Sequence, residues 1–185
     1  EKLKINISGE YAHCIDLKNN IFTDIINYFK KEFSITDNID ITLVKNIPVQ
    51  GGLGGGSSNG AKLMKYFNEE YNLKLSFGKM QEISYEFGSD IAFFLQDKSA
   101  IIKNRGDVIC KTKEFYPVDV ILIIPDFGLS TKEVFTGVTI FSEEIKLDDF
   151  KNKDFYELLN YGNDLFKIAT ILKPELQDIY DFTKS

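Results

Sequence analysis

The sequence predicts a mixed α+β fold, because segments with the pattern of strands and segments with the pattern of helices alternate along its 185 residues. Apolar and polar residues alternate at 3–7 and 39–43, whereas apolar residues recur at helical spacing from Ile21 and from Ala61. The run from Val118 to Pro125 is almost wholly apolar, yet it is far shorter than the roughly 20 residues of a membrane span. We therefore expect a soluble, cytoplasmic protein that does not insert into a membrane.

The first half of the chain has the order strand, helix, strand, glycine loop, helix. Asn20 stands where it can cap the first helix. The second strand is predicted to end by Ile47-Pro48, because the residue before a proline is pushed toward extended geometry. A glycine loop at Gly51–Gly56 follows, and the next helix has Ser57 or Ser58 near its N-terminus.

The middle of the chain is predicted to hold one helix and three strands. Ser76 to Phe87 has helical spacing, and Gly88 is a typical C-terminal stop. Short strands are expected at Ala100 to Lys103 and at Val108 to Lys111. The continuous apolar run Val118 to Ile124 predicts a strand that is buried on both faces.

The last third of the chain is predicted to be mainly helical. Ser130 and Glu133 have the spacing of a capping box, which begins a short helix. The helical pattern returns at Asp148, and Pro174 suits a first helical turn. The polar stretch from Lys111 to Pro117 is the best candidate for a domain boundary.

Composition excludes several classes of protein. A formal net charge of −6 and a pI near 4.9 disfavour a nucleic-acid-binding protein, which normally presents a basic face. Cys14 and Cys110 are isolated from each other and the chain has a single histidine, so an ordinary zinc site is not expected. We expect both cysteines to be buried, reduced thiols.

The glycine loop is the strongest functional signal. Five of the six residues in Gly51–Gly56 are glycine, at a cost of roughly 0.5 to 1 kcal/mol per position in a regular element. Successive N–H groups in such a loop can converge on an anion, and the helix that follows adds its positive dipole end. No lysine follows Gly56, so this is not a Walker A motif, and Ser57 breaks the dinucleotide-binding pattern. A polyphosphate is the expected ligand.

Three ordered motifs carry a family resemblance. The segment Pro48-Val-Gln-Gly-Gly-Leu-Gly-Gly-Gly-Ser-Ser-Asn59 resembles the second motif of the GHMP kinases. The segments Phe87–Phe94 and Pro125–Phe135 are similar to two later motifs of one branch of that family. Members of this branch phosphorylate the 2-hydroxyl of 4-diphosphocytidyl-2-C-methyl-D-erythritol with ATP, in non-mevalonate isoprenoid precursor synthesis. The resemblance covers nearly the whole chain.

The resemblance implies a fold and a division into domains. Residues 1–115 would belong to an ATP-binding N-terminal domain like ribosomal protein S5 domain 2. Residues 116–185 would belong to a ferredoxin-like C-terminal domain. Both domains are expected to be incomplete in this sequence.

The resemblance also implies catalytic and nucleotide-binding residues, with ATP and Mg²⁺ as cofactors. Asp90 would be the catalytic base, although an aspartate at this position could instead cap a helix. A hydroxyl of Ser57 or Ser58 would lie near Mg²⁺. Asn20 and Lys45 fall at adenine-contact positions, where the alternatives are a helix cap and a solvated charge. The residues expected at ATP are Asn20, Lys45, Pro48, Gly51, Gly52, Leu53, Gly54, Gly55, Gly56, Ser57, Ser58 and Asn59.

Three residues are expected at the substrate, a cytidine-diphosphate sugar alcohol. Phe135 matches the aromatic residue that stacks on the cytosine, and such stacking is worth on the order of 1 to 3 kcal/mol. Thr131 and Asp90 would also contact the substrate. The alternative for Phe135 is a core position in a short helix.

Two of the family's motifs are not found in the sequence. The first motif carries Ala-Lys-Leu/Val-Asn and is followed by a Tyr-His pair, and the last motif is Gly-Ser/Thr-Gly-Ala/Ser. Tyr11 and His13 lie too close to Asn20 to be that pair, so His13 is interpreted as a loop residue. We expect segments to be missing at both ends, leaving exposed sheet edges, and this chain alone to be inactive. The open alternatives are a homoserine-type or mevalonate-type kinase, or a non-catalytic nucleotide-binding fragment.

Overall fold

The computed structural model describes most of the chain, and it divides the chain into two compact units. The units are Glu1–Lys111 and Thr112–Ser185, and each is described by itself. The described residues are 3–16, 20–96, 98–104, 106–112, 117–143, 146–151 and 153–184.

The first unit opens with two parallel strands joined through a helix. Strands β1 (Leu3–Ser8) and β2 (Ile39–Val44) pair in parallel, with Leu3 opposite Ile39. Helix α1 (Ile21–Glu32) connects them, and a short 3₁₀ turn at Ala12–Cys14 follows β1. The alternating pattern and the helical spacing therefore predicted these three elements correctly.

Three helices follow the glycine loop: α2 (Gly55–Glu70), α3 (Phe77–Ser84) and α4 (Ile91–Phe94). Helix α2 begins inside the glycine run, so its last two glycines are helical. Helix α3 ends earlier than the predicted Phe87, because the chain tightens into i→i+3 hydrogen bonds after Ser84.

A β-hairpin closes the first unit, as predicted. Strands β3 (Ala100–Lys103) and β4 (Val108–Lys111) are antiparallel, with Ile102 opposite Ile109. The turn between them has Gly106 at φ +97°, a conformation that favours glycine.

The core of the first unit lies between its helices and the β1–β2 pair. Phe29 of α1 and Phe67 of α2 stack at 5.0 Å between ring centroids, and both side chains are fully buried. Gly60 lets α2 approach its neighbours, because a Cβ there would lie 3.2 to 3.5 Å from isoleucine side chains of α1 and α4. The buried cluster comprises Ile25, Ile26, Phe29, Ile35, Ala61, Leu63, Met64, Phe67, Met80, Ile83, Ile91 and Leu95.

The second unit is described as five short helices linked by irregular chain. They are α5 (Thr131–Gly137), α6 (Leu147–Lys151), α7 (Phe155–Leu159), α8 (Asp164–Leu172) and α9 (Glu175–Lys184). The hydroxyl of Ser130 accepts a hydrogen bond from the N–H of Glu133, which confirms the predicted start of α5. Pro174 stands directly before α9.

The strand predicted at Val118 to Ile124 is not formed. This segment has no regular structure, and its apolar side chains are exposed, with Ile121 at 94%. A strand is stabilised by hydrogen bonds to a neighbouring strand, and the described residues of the second unit contain none. The prediction of a strand buried on both faces was therefore wrong, because the apolar pattern does not by itself supply the neighbouring strands that pair with it and cover it.

Two further observations bear on the composition. No helix among the described residues is long and apolar enough to cross a membrane. Cys14 is exposed and Cys110 is half-buried, so the expectation of buried thiols was wrong. Cys14 ends the surface 3₁₀ turn, and Cys110 lies in a two-stranded hairpin, which cannot enclose a side chain as a larger sheet does.

Candidate active site

The glycine loop presents an open backbone surface ahead of α2. Gly52 and Gly54 have φ of +69° and +65°, which a residue with a side chain rarely adopts. No atom lies within 4 Å of the position of a Cβ on Gly52 or Gly56, whereas a Cβ on Gly54 would collide with the ring of Phe94 at 2.6 Å. The loop is thus held against α4 on one side and is accessible at two glycines.

The first turn of α2 offers unpaired donors to an anion. The bond from the Ser58 N–H to the Gly54 carbonyl, at 2.8 Å, is the first one inside the helix. The N–H groups of Gly55, Gly56 and Ser57 precede it, so they have no acceptor within the helix. Together with the positive end of the helix dipole, they favour a bound phosphate.

Lys45 lies at the end of β2 and is only 6% exposed. Its backbone is fixed by two hydrogen bonds, from its N–H to Ser8 at 2.7 Å and to its carbonyl from Tyr11 at 2.9 Å. Its ammonium lies so close to Gly55 that a Cβ there would be 2.9 Å from Nζ. The alternative of a solvated strand-end charge is therefore wrong.

The surroundings of the Lys45 ammonium favour an anion. Within the part of the chain that the structure describes, Nζ makes no hydrogen bond and no ion pair. The ammonium of this largely buried residue lies beside the positive end of α2, and both positive charges favour a negative group at that place. The structure brings Lys45 to the first turn of α2, where phosphates are expected, and its role at ATP stays a prediction.

Asp90 lies directly before α4, the helix that packs against α2 and, through Phe94, against the glycine loop. Ile91 and Ala92, which follow it, are fully buried, and Phe94 of the same helix covers Gly54. The Asp90 side chain itself is exposed and accepts a hydrogen bond from the Ser89 hydroxyl at 3.3 Å. The apolar run Ile91 to Leu95 predicts low-dielectric surroundings for this carboxylate. That prediction is wrong, because the side chains of Ile91 and Ala92 are buried in the core whereas the Asp90 side chain is exposed.

The capping alternative for Asp90 is not supported either. Asp90 holds the N-cap position of α4, but its side chain makes no capping hydrogen bond. Its carboxylate is free to meet a ligand, and its role as a base stays a prediction.

Asn20 has a demonstrable structural role. Its side-chain oxygen accepts hydrogen bonds from the N–H groups of Phe22 at 3.0 Å and Thr23 at 3.1 Å. The predicted helix cap is confirmed, and an additional contact with adenine stays a prediction.

Phe135 and Thr131 belong to the second unit, whereas the glycine loop, Lys45 and Asp90 belong to the first. The ring of Phe135 is 61% exposed, so the alternative of a core position is wrong. Val134 fills that position instead and is buried. Thr131 is exposed at the start of α5. Both side chains are accessible to a ligand.

A magnesium ion would find few protein ligands in the described part of the chain. The residues described there contain no group of three or more His, Cys, Asp or Glu side chains that could hold a metal ion. Ser57 is half-buried and Ser58 is exposed in the first turn of α2, and either hydroxyl could give one oxygen ligand. This fits Mg²⁺ bound with a nucleotide, since that ion takes most of its ligands from phosphates and water.

Sequence reasoning missed the residues that pack against the Asp90 loop. Gly106 of the β3–β4 turn lies over the carbonyl of Ser89, and Tyr85 of the turn after α3 donates a hydrogen bond to the carbonyl of Gly106. The Gly-Asp pair at 106–107 indicates a turn, but it gives no sign of what that turn contacts.

Comparison with known proteins adds to this geometry. Residues 20–98 match the family model of the GHMP kinases N terminal domain. A 4-diphosphocytidyl-2-C-methyl-D-erythritol kinase of Exiguobacterium sibiricum is 30% identical over 98% of this chain and 66% of its own length. The enzymes of the same name from Clostridium beijerinckii and Pelagibacter ubique are 29% and 33% identical over 93% and 97% of the chain.

Residues 20–98 belong to the GHMP kinase N-terminal domain family. The chain spans 63 to 66% of the length of those three relatives. A crystal structure of 4-(cytidine 5'-diphospho)-2C-methyl-D-erythritol kinase is similar over 97% of the chain and 65% of that structure, with a TM-score of 0.62 and 21% identity. The likeness shows that the chain has the GHMP kinase fold.

Proposed function

We propose that the protein containing this chain transfers the γ-phosphoryl group of ATP to the 2-hydroxyl of 4-diphosphocytidyl-2-C-methyl-D-erythritol, a step of non-mevalonate isoprenoid synthesis. The observation that carries the proposal is the ammonium of the largely buried Lys45 beside Gly55, at an open helix N-terminus. The positive charge and the N–H groups at this place suit the phosphates of ATP. The names of the similar kinases support the choice of substrate.

The glycine loop and α2 would hold the phosphates of ATP. Phosphoryl transfer depends mainly on positioning and on neutralising negative charge. The N–H groups of Gly55, Gly56 and Ser57 and the Lys45 ammonium supply both. Mg²⁺, held in part by the hydroxyl of Ser57 or Ser58, would neutralise further phosphate charge when bound.

Asp90 would act as the general base. Its exposed carboxylate can accept the proton of the substrate hydroxyl, and the hydrogen bond from Ser89 orients one of its oxygens. General bases of this kind contribute roughly 10² to 10⁴ to the rate.

The second unit would recognise the cytidine end of the substrate. The exposed ring of Phe135 offers a stacking surface for cytosine, and Thr131 offers a hydroxyl nearby on α5. We assign residues 1–115 to the ATP-binding domain and residues 116–185 to the substrate-binding domain. The cytoplasmic location stays a prediction from the sequence.

Thermal unfolding of the whole protein with different ligands tests the substrate. We expect CDP and CMP to raise the melting temperature. At a hundredfold excess of ligand over Kd, binding should add about 2.7 kcal/mol to the free energy of unfolding. Homoserine and mevalonate should have no effect. If homoserine or mevalonate raises the melting temperature and cytidine nucleotides do not, the proposed substrate is wrong and the protein is a homoserine-type or mevalonate-type kinase.

A matched pair of variants tests the role of Phe135. Phe135→Ala should abolish the stabilisation by CDP, whereas Phe141→Ala, which removes another exposed ring of the second unit, should leave it intact. An equal response in both variants would exclude stacking on Phe135. ADP release in a coupled assay with the proposed substrate then tests turnover, and binding without turnover would favour the non-catalytic alternative.

A further inference from the structure

The turn of the β3–β4 hairpin lies directly against the loop that carries Asp90. Gly106 is buried, and a Cβ placed on it would be only 2.4 Å from the carbonyl oxygen of Ser89. The Ser89 carbonyl belongs to the peptide that leads into Asp90. The hairpin turn therefore forms one wall of the Asp90 loop, and only glycine fits at the point of contact.

Hydrogen bonds fasten the hairpin turn to α3 and to the turn that follows it. The side-chain amide of Gln81 donates to the Tyr85 hydroxyl at 2.7 Å and to the carbonyl of Asp107 at 3.1 Å. The Tyr85 hydroxyl in turn donates to the carbonyl of Gly106 at 3.1 Å. We call Gln81, Tyr85, Gly106 and Asp107 the hairpin clasp.

The Asp90 backbone is thus held from two directions. Ile91 is fully buried in the core, which fixes the chain after Asp90. The hairpin clasp fixes the chain before it, although Ser89 and Asp90 are themselves exposed. Gly88 is also held, by a hydrogen bond from its N–H to the carbonyl of Ser84 at 3.0 Å, so the clasp adds to this restraint at Ser89, the residue next to Asp90.

We propose that the hairpin clasp positions the Asp90 carboxylate, and that Tyr85 and Gly106 are the two residues that restrain its loop. The inference rests on the proposed function, in which Asp90 is the base. A base must lie within hydrogen-bond reach of the proton it takes, and a displacement of about 1 Å can cost roughly 10² in rate. The Tyr85 hydroxyl binds Gly106, and Gly106 lies against Ser89, so both residues act on the Asp90 loop through this contact.

Two variants of the whole protein probe the clasp. Tyr85→Phe removes one hydroxyl and should lower kcat about tenfold, less than the ~10² of a full displacement. Gly106→Ala forces a Cβ against Ser89 and should lower kcat about 10²-fold. The KM for ATP should stay within about twofold in both, because the glycine loop is untouched.

Tyr66→Phe is the matched control. Tyr66 is a half-exposed tyrosine of the same unit, and its hydroxyl makes no hydrogen bond among the described residues. We expect its kcat and its melting temperature to equal those of the unmodified protein.

A double-mutant cycle with Asp90→Asn separates positioning from general stability. In single-turnover measurements, Tyr85→Phe should change the residual rate of Asp90→Asn by less than about twofold, because the base it positions is gone. An equal loss in both backgrounds would overturn the proposal and show a merely structural role.

The outcomes also separate this proposal from the proposed function. An unchanged kcat in Asp90→Asn would show that Asp90 is not the base, and it would overturn the clasp as a positioning device while the proposed reaction itself stands. Absence of ADP release by the unmodified whole protein with the proposed substrate would overturn the proposed function. A large loss in Asp90→Asn with an unchanged kcat in Tyr85→Phe and Gly106→Ala would overturn the clasp alone.

Discussion

The two units differ sharply in how they use their apolar residues. Of the described apolar residues, thirteen in the first unit are fully or nearly fully buried, whereas in the second only Val134 is. The second unit instead exposes a continuous apolar run, from Val120 at 70% to Ile124 at 49%. The first unit has a core of its own, whereas the main packing between described elements of the second unit is that of α8 with α5 and with α9.

This difference bears on the site. The glycine loop, Lys45 and Asp90 are positioned by a closed core, so their geometry follows from the packing of α1, α2 and α4. Phe135 and Thr131 stand on a short helix whose described packing is sparse, mainly the close approach of Gly137 to Ile168 of α8. The residues proposed to bind phosphate are therefore fixed by a core, whereas those proposed to bind cytidine are not.

The largest expected effect tests the contrast in burial. Phe67→Ala, in the stacked core of the first unit, should lower the free energy of unfolding by about 3 to 5 kcal/mol. Ile121→Ala should change it by less than about 0.5 kcal/mol, because that side chain is 94% exposed. Urea unfolding of this chain measures both. A similar decrease in the free energy of unfolding for both variants would contradict the difference in burial between the two units.

The next effect concerns catalysis by the first unit. Asp90→Asn keeps the shape of the side chain and removes its basicity, so turnover of the whole protein should fall by at least about 10². ATP affinity, measured by isothermal titration calorimetry, should be nearly unchanged. Loss of ATP binding together with activity would make Asp90 a structural residue.

A smaller effect separates the two roles considered for Asn20. Asn20→Ala should destabilise the first unit by about 1 kcal/mol through loss of the helix cap, whereas Asn20→Ser keeps a capping oxygen and most of that stability. Thermal unfolding checks both variants. If Asn20 also contacts adenine, Asn20→Ser should weaken ATP binding while the melting temperature stays the same. If ATP affinity is unchanged in Asn20→Ser, Asn20 serves only as the helix cap and does not contact adenine.

Local pattern predicted most elements of the first unit. Period-two alternation gave β1 and β2, and the Asn20 cap gave the start of α1, because these signals depend only on neighbouring residues. Burial and contact could not be predicted this way. The ammonium of Lys45 reaches Gly55 only because the parallel pairing of β1 and β2 places the end of β2 beside α2.

The errors have a common physical cause. The Val118 to Ile124 run was expected to be buried because its pattern is that of an inner strand, but a pattern does not supply neighbouring strands. The surroundings of Asp90 were inferred from residues adjacent in sequence, and those side chains point away from it. The contact of Gly106 with Ser89 joins residues 17 positions apart, which no local pattern reports.

The smallest expected effect tests a defined polar contact of the second unit. The hydroxyl and the N–H of Ser142 both donate to the Asp164 carboxylate, and these hydrogen bonds hold the pKa of Asp164 below its ordinary value. Since the folded-state pKa is lowered, the contact stabilises the chain above the unfolded pKa, and the stabilisation is lost as pH falls through the folded pKa. Ser142→Ala removes the hydroxyl and keeps the N–H, so the pKa of Asp164 should rise part of the way to its ordinary value. An NMR titration of the Asp164 carboxyl carbon measures the shift, with Thr139→Ala as a nearby control that should leave it unchanged. A constant pKa in Ser142→Ala would show that this contact does not persist in solution, and the second unit would then differ from the first in polar order as well as in burial.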